Sequence, residues 1–442
     1  MKKLILIPLL VATAFPFVIV PQDNNVNASN IGTDYSGNVK ITPGNGSSDA
    51  FGRLRVSNPE TLFDSKLLHD KVPLLWNEKL GGSGVATYQV NNASILMTVS
   101  NDGDYAISQS YMRFNYQPGK SHQILQTFCL GTGSASVIKR VGYFNTSTNA
   151  SYTNERDGVY LEQDGVNQYI VISMFGTANR VIQSNWDDPL DGSGASGITV
   201  DWSKVQIIMF SMEWLGVGSL GCALVIDGAI IPFHKFKHAN LTTTVYMSSP
   251  NHSIRYEIFS YGGTNNLLKI CSSVNSEGGT EQSGVLRCAS SGGNEITLTN
   301  ENTKYALIGL RLKTNYLDIS VFIRDAQLQI QTATEQLEWQ VIFNPTIAGT
   351  PIWNDVANSS VQFCLSSNGL TVTGGTVTSG GYGESGNNSS GAAASTGGLV
   401  PNALRLGVSI DGVRDTIFFV AKPIAGSTAI QVDASLFWRE QL

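Results

Sequence analysis

The chain has 442 residues, enough for about two or three domains that each bury a full core, yet only 14% of them are charged where soluble domains average roughly 25%. Glycine (45), Asn, Ser and Thr supply the polarity instead; a net charge of -6, with no basic run beyond Lys2-Lys3 and the dilute Lys235/Lys237 pair, excludes a nucleic-acid-binding surface. Cys129, Cys222, Cys271, Cys288 and Cys364 never fall at C-x-x-C spacing, which excludes a zinc knuckle and a disulfide scaffold; Cys271 and Cys288 are the nearest pair able to bridge.

In chain order, the first feature is the uncharged run Leu4 to Val20, "LILIPLLVATAFPFVIV", followed by the small-residue site "VNA" at Val26 to Ala28. A secretory signal fits it, but Pro8, Pro16 and Pro21 interrupt a helix and the run falls short of the about 20 residues that span a bilayer. A retained anchor or an extended apolar arm docked on a neighbour is the expectation for residues 1–49, with a polar linker closing the segment.

From residue 50 to 275 apolar and polar residues alternate between breaks rich in Gly, Asn and Asp, the pattern of half-buried strands. "FGRLRVS" from Phe51 reads as an edge strand or an arm paired with another chain. "GVYLEQDGVNQYIVIS" places Asp164-Gly165 as a two-residue hairpin turn, and "CALVIDGAIIPFHKF" does the same with Asp227-Gly228. In "VQIIMFSMEW" the side chains of Ile208, Phe210, Met212 and Trp214 share one face, predicted to be core, while Val205, Ile207, Met209, Ser211 and Glu213 share the other. Residues 276–442 form a second β region with strands such as "YALIGLRL" and "QLEWQVIF". Its Gly/Ser-rich stretch 374–398 has almost no side chains to bury and is predicted to be a flexible surface loop. The expected fold is therefore all-β: two β-sandwich or jelly-roll-like domains behind an extended apolar N-terminal segment.

Residues capable of chemistry are scattered. His234 and His238 lie four apart, but Pro232 and Phe236 favour a strand, no third ligand is near, and Lys235 and Lys237 oppose a cation. Glu213 is a lone carboxylate, whereas glycoside hydrolysis needs two. Asp227 is explained by its turn, and Glu257 and Arg255 by a strand-surface ion pair. The acidic loops "NDGD" at Asn101 and "DDPLDGSG" at Asp187 concentrate oxygen ligands without matching a calcium loop, and turn chemistry accounts for them. No nucleophile elbow, phosphate loop or dinucleotide fingerprint is present. No catalytic residue, metal ligand or cofactor site is predicted. Trp186, Trp202 and Tyr382 are the aromatics able to stack on sugar rings from loops, with core packing the simpler reading for the tryptophans.

Several separated stretches, "DAFGRLRVSNPETLFDSKLLHDKVPLLWNEKLGG" (Asp49 to Gly82), "SNWDDPLDGSGASGITVDWSKVQI", "EWLGVGSLGCALVIDG" and "HKFKHANLTTTVYMSSPNHSIRYEI", with "NPTIAG" at Asn344 and a W-x-x-V turn at Trp353, have a family likeness. In these the chain resembles a family of β-rich virion structural proteins of tailed bacteriophages and large double-stranded DNA viruses. The resemblance runs from residue 49 to the C-terminus and implies no catalytic residue. It implies a virion-located, non-enzymatic minor capsid, vertex or surface-decoration subunit acting through subunit contacts. Its expected partners are other capsid or virion proteins, further copies of itself, and a membrane touching residues 4–20. The alternative is a spike or tail adhesin that binds host glycans; a glycoside hydrolase is the third reading.

Overall fold

The computed structural model describes residues 31–33, 39–41, 48–56, 58–146, 156–279, 284–366, 369–386, 393–395, 405–424 and 429–441. Contacts divide the chain into two units, Met1–Gly44 and Asn45–Leu442. In the first, Ile31–Thr33 pairs antiparallel with Val39–Ile41; the apolar run 4–20 lies outside the described residues. No helix among the described residues is long and apolar enough to cross a membrane.

The second unit is all-β. Among its described residues, antiparallel strands form four sheets and the helical content is one 3-10 turn, Gln183–Asn185. The first region packs two sheets face to face. One runs Thr177–Ile182, Asn167–Met174, Arg156–Asp164, Val137–Thr146, Ile254–Ser260, Tyr105–Ser110, Trp76–Gly81; the other centres on Gln206–Met212, Ser121–Cys129 and Asn265–Glu277. Their inner faces enclose one core holding Val141, Tyr143, Val159, Leu161, Ile208, Phe210 and Met212, so the face predicted for "VQIIMFSMEW" is the buried one, with Trp214 packed at its edge. The second region builds a separate core from Leu307, Leu310, Val321, Leu436 and Trp438, between a sheet centred on Ile430–Gln441 and one centred on Tyr305–Leu312 and Thr416–Pro423. These are jelly-roll-like sandwiches, each closing because alternation gives every strand one apolar face to hide.

Three local expectations are corrected. Asp227-Gly228 forms its turn as predicted, with φ of 50° and 80° between the paired Ile226 and Ala229. At the other hairpin Asp164 stays in the ladder opposite Asn167, and the loop is Gly165-Val166, because Gly165 takes the left-handed φ of 61°. The stretch 374–398 is not simply loop: Thr376–Glu384 pairs along the whole of Gln336–Phe343, and Ala393–Ser395 pairs with Ser320–Ile330. Ladder pairing uses the main chain, and Gly381 is required there, since a Cβ would meet the Trp339 ring at 2.7 Å. Finally, Arg255 and Glu257 do pair, at 2.7 Å, but wholly buried, since Ile410 from the second region packs with Ile107 and Phe259 on that face of the sheet.

Candidate functional site

The two regions meet along a polar seam. Tyr111 O accepts from Val408 N, Asn77 Oδ1 accepts from Ile410 N at 2.8 Å, and Lys79 pairs with Asp411. Beside these contacts opens a cleft of about 440 Å³, lined by Arg113, Asn145, Thr146, Asp157, Phe175, Ser248, Ser249 and His252 of the first region and Thr314, Asn315, Leu317 and Asp318 of the second.

Local sequence explains how each side chain reaches the cleft. Asn145 and Asp157 are cross-strand partners on the side that carries Tyr143 and Val159 into the core, one step past its end. The next residue, Gly158, has a φ of 127°, which a side chain would forbid. Phe114 N donates to His252 O, so the segments bearing Arg113 and His252 lie side by side. His252 N donates to Tyr143 Oη at 3.0 Å, and its ring stands edge-on to that tyrosine at 5.6 Å. Across the seam, Ser249 Oγ donates to Asp318 Oδ2 at 2.7 Å, Asn251 Nδ2 donates to Asp318 O, and Ser320 Oγ donates to Arg113 O. Ser248 binds Asp157 through both its N–H and its hydroxyl.

Two features of the cleft are not explained by packing. Phe175 occupies a two-residue turn between Met174 and Thr177 with a φ of 45°, a left-handed conformation that costs a side-chain-bearing residue about 1–2 kcal/mol, yet its ring is 62% exposed. Arg113 is buried with Nε and Nη1 unpartnered, and His252 is buried with both ring nitrogens unpartnered. Burial pulls the Arg113 guanidinium down to about 10 against the support of Asp318 and Asp415, and lowers His252 so that its imidazole is neutral.

On the opposite face of the same sheet lies a charged ladder. Glu162 and Glu257 flank Arg140 in register on adjacent strands, with Arg140 Nε 2.5 Å from Glu162 and Nη1 2.8 Å from Glu257. Arg156 and Arg255 also bind Glu257, and Arg180 binds Glu162 while lying 4.0 Å over the Tyr169 ring. Burial alone would raise the Glu257 carboxyl, but Arg156, Arg255 and Arg140 hold it near 2. A cleft of about 330 Å³ opens over Arg140, Arg156, Tyr160 and Arg180. Its carboxylates are matched by guanidinium groups, which makes it a structural brace first.

The residues singled out in the sequence have structural employment. His238 Nδ1 bonds Gly218 O at 2.7 Å and stacks on Tyr246, while His234 sits 3.5 Å from Asp187. Glu213 accepts from Ser219 N and Oγ. Asp104 accepts from Ser83, Ser100 and Asn101, led by the Ser83 hydroxyl, which holds it well below the usual carboxylate range. Asp188 accepts from Leu190 N and Ser196 N. Among the described residues no group of three or more His, Cys, Asp or Glu converges as a metal site. Trp186 and Trp202 are core, packed edge to face at 6.2 Å, while Tyr382 is exposed on the edge strand. All five cysteines are free thiols, Cys271 and Cys288 included. Arg113, Asp157, Phe175, His252 and Asp318 carried no motif; the one local signal was an aromatic in a turn position, "SMFGTANR".

No family model matches the chain, and no curated protein matches it. Among solved structures it is similar to the carbohydrate recognition domain of Emp47p (14% identity, 50% of this chain and 97% of that one, TM-score 0.32). It is also similar to a β-glucanase of Bacillus licheniformis (12%, 50% and 98%, TM-score 0.30) and to a lectin from Bauhinia forficata in complex with GalNAc (10%, 50% and 98%, TM-score 0.29). At these TM-scores the likeness assigns neither ligand nor reaction.

Proposed function

We propose that this chain is a non-catalytic surface protein of a virus particle that binds saccharide in the cleft between its two β regions. The observation that carries the binding role is Phe175. A large apolar ring is held in a strained turn, exposed, at the mouth of a cleft otherwise lined by hydroxyl, amide, carboxylate and guanidinium groups. That is the chemistry a sugar needs, a flat apolar surface for its C–H face and fixed polar partners for its hydroxyls. The virion assignment rests on the sequence resemblance from Asp49 onward. Glycan-array binding followed by calorimetry on the full chain tests the reading. The expected result is saturable binding that Phe175→Ala weakens at least tenfold with folding unchanged. Release of new reducing ends from a bound glycan would remove "non-catalytic", since Asp157 and Asp318 both line the cleft.

A purely architectural role, as a minor capsid, vertex or decoration subunit, is favoured by a different observation. In the "FGRLRV" segment Leu54 and Val56 are exposed, Val56 at 87%, with Leu68 and Leu74 also exposed nearby in sequence. Apolar side chains left in water suit contacts with neighbouring subunits. Light scattering of the purified chain tests it: oligomers support it, and a stable, inert monomer counts against it.

A further inference from the structure

The seam cleft distinguishes among saccharides, an inference that rests on the binding role proposed above. Its buried wall offers donors with nothing to donate to. Arg113, 6% exposed, has Nε and Nη1 unmatched, and the fully buried His252 has both ring nitrogens unmatched. An unmatched buried polar group destabilises the fold, and elsewhere in this region the buried guanidinium groups of Arg140 and Arg255 are bound by carboxylates. The two Arg113 N–H groups and the single N–H of the neutral His252 imidazole therefore form a prepared surface for an acceptor. The same cleft offers acceptors as well, Asp157 and Asp318, and an apolar side chain, Leu317.

Charge narrows the ligand. An anion would satisfy Arg113 but meet two carboxylates against one guanidinium and a neutral imidazole. A cation would suit the carboxylates and meet the guanidinium. A hydroxyl can accept from the wall or donate to a carboxylate but brings no apolar group to Leu317. A neutral group that combines a carbonyl acceptor, an adjacent N–H donor and a methyl matches all three surfaces, and the acetamido group is that combination.

We propose that the seam cleft selects a sugar carrying an acetamido group, its carbonyl accepting from Arg113 and His252, its N–H donating to Asp157 or Asp318, and its methyl lying against Leu317. The sugar ring then rests on Phe175 at the mouth. No bond is made or broken.

The test is calorimetric titration of the full chain with methyl glycosides of N-acetylglucosamine, N-acetylgalactosamine, glucose, galactose, glucosamine and glucuronic acid. One or both acetamido sugars should bind at least tenfold more tightly than the parent hexose and than the charged analogues. Arg113→Met should abolish that preference with the fold retained, as read by circular dichroism, because Nε and Nη1 have no hydrogen bonds to lose, although Asp318 and Asp415 lose a nearby opposite charge. Equal affinity for hexose and N-acetylhexosamine, or tighter binding of glucuronic acid, overturns the acetamido assignment and leaves saccharide binding standing. Absence of binding to every sugar, including those of a wider array, overturns both. Should Arg113→Met fail to fold, the ligand series on the unaltered chain decides the question alone.

Discussion

The two β regions solve the same packing problem with different interiors. The second is apolar in its depth, and its most buried carboxylate, Glu440, is matched locally by Ser359, Ser360 and the indole N–H of Trp438. The first buries Arg113, His122, Lys139, Arg140, His252, Arg255, Glu257 and Lys269. Some of these are braced by opposite charge. Others are not: Lys269 Nζ lies 3.0 Å from the Trp76 ring centroid and donates to Ser108 Oγ at 2.8 Å, with no carboxylate in contact. The contrast teaches that the first region tolerates more buried charge than the second, and the unmatched pair Arg113 and His252 lines the cleft at the seam.

Substitutions can break or sharpen this contrast. The largest effect is expected at Glu257→Gln, which leaves Arg140, Arg156 and Arg255 facing one another in a buried sheet. Urea unfolding should show a loss of about 3–5 kcal/mol, and a loss below about 1 kcal/mol would mean that water screens the ladder. Leu436→Ala, in the second core, should lose about 2–5 kcal/mol through cavity formation, with no dependence on pH.

Asp415→Asn comes next and acts through pH. Burial raises the Asp415 carboxyl to about 6 despite the N–H groups of Asn344 and Gly407, so the folded state holds its proton more tightly than the unfolded state does. Stability from this group is complete below its ordinary value of 3.8 and is lost as pH rises through 6. Relative to the unaltered chain, the variant should therefore gain up to about 3 kcal/mol between pH 4 and pH 7; a flat difference would remove Asp415 from the seam's energetics. The smallest effect belongs to Lys269→Met, which should raise stability by about 1 kcal/mol near neutral pH. Burial drives this lysine well below its usual value, so the unaltered protein gains stability as pH rises toward 10.5 and the variant's advantage shrinks over the same range.

Much of the scaffold was legible from alternation alone. Ile208, Phe210 and Met212 point inward as their spacing requires, and Asp227-Gly228 turns where its φ preferences allow. The seam cleft was not legible, for a physical reason. Periodicity reports which side of a strand faces away from water locally, but it cannot report what another region lays over the opposite side. Arg255 and Glu257 therefore read as surface charges, although Ile410, far along the chain, packs on that face. Asp157 and Asp318 become neighbours of one cleft only after both sandwiches have formed. The strand Thr376–Glu384 was hidden for a related reason, since its pairing relies on main-chain groups that composition does not record.

The placement of Asp157 and Asp318 on either side of the seam has a thermodynamic corollary. A molecule that touches both can be held only while both sandwiches are folded and joined, so its binding free energy is added to their union and not to either alone. Occupancy would act as a clamp, merging the melting of two halves into one cooperative event.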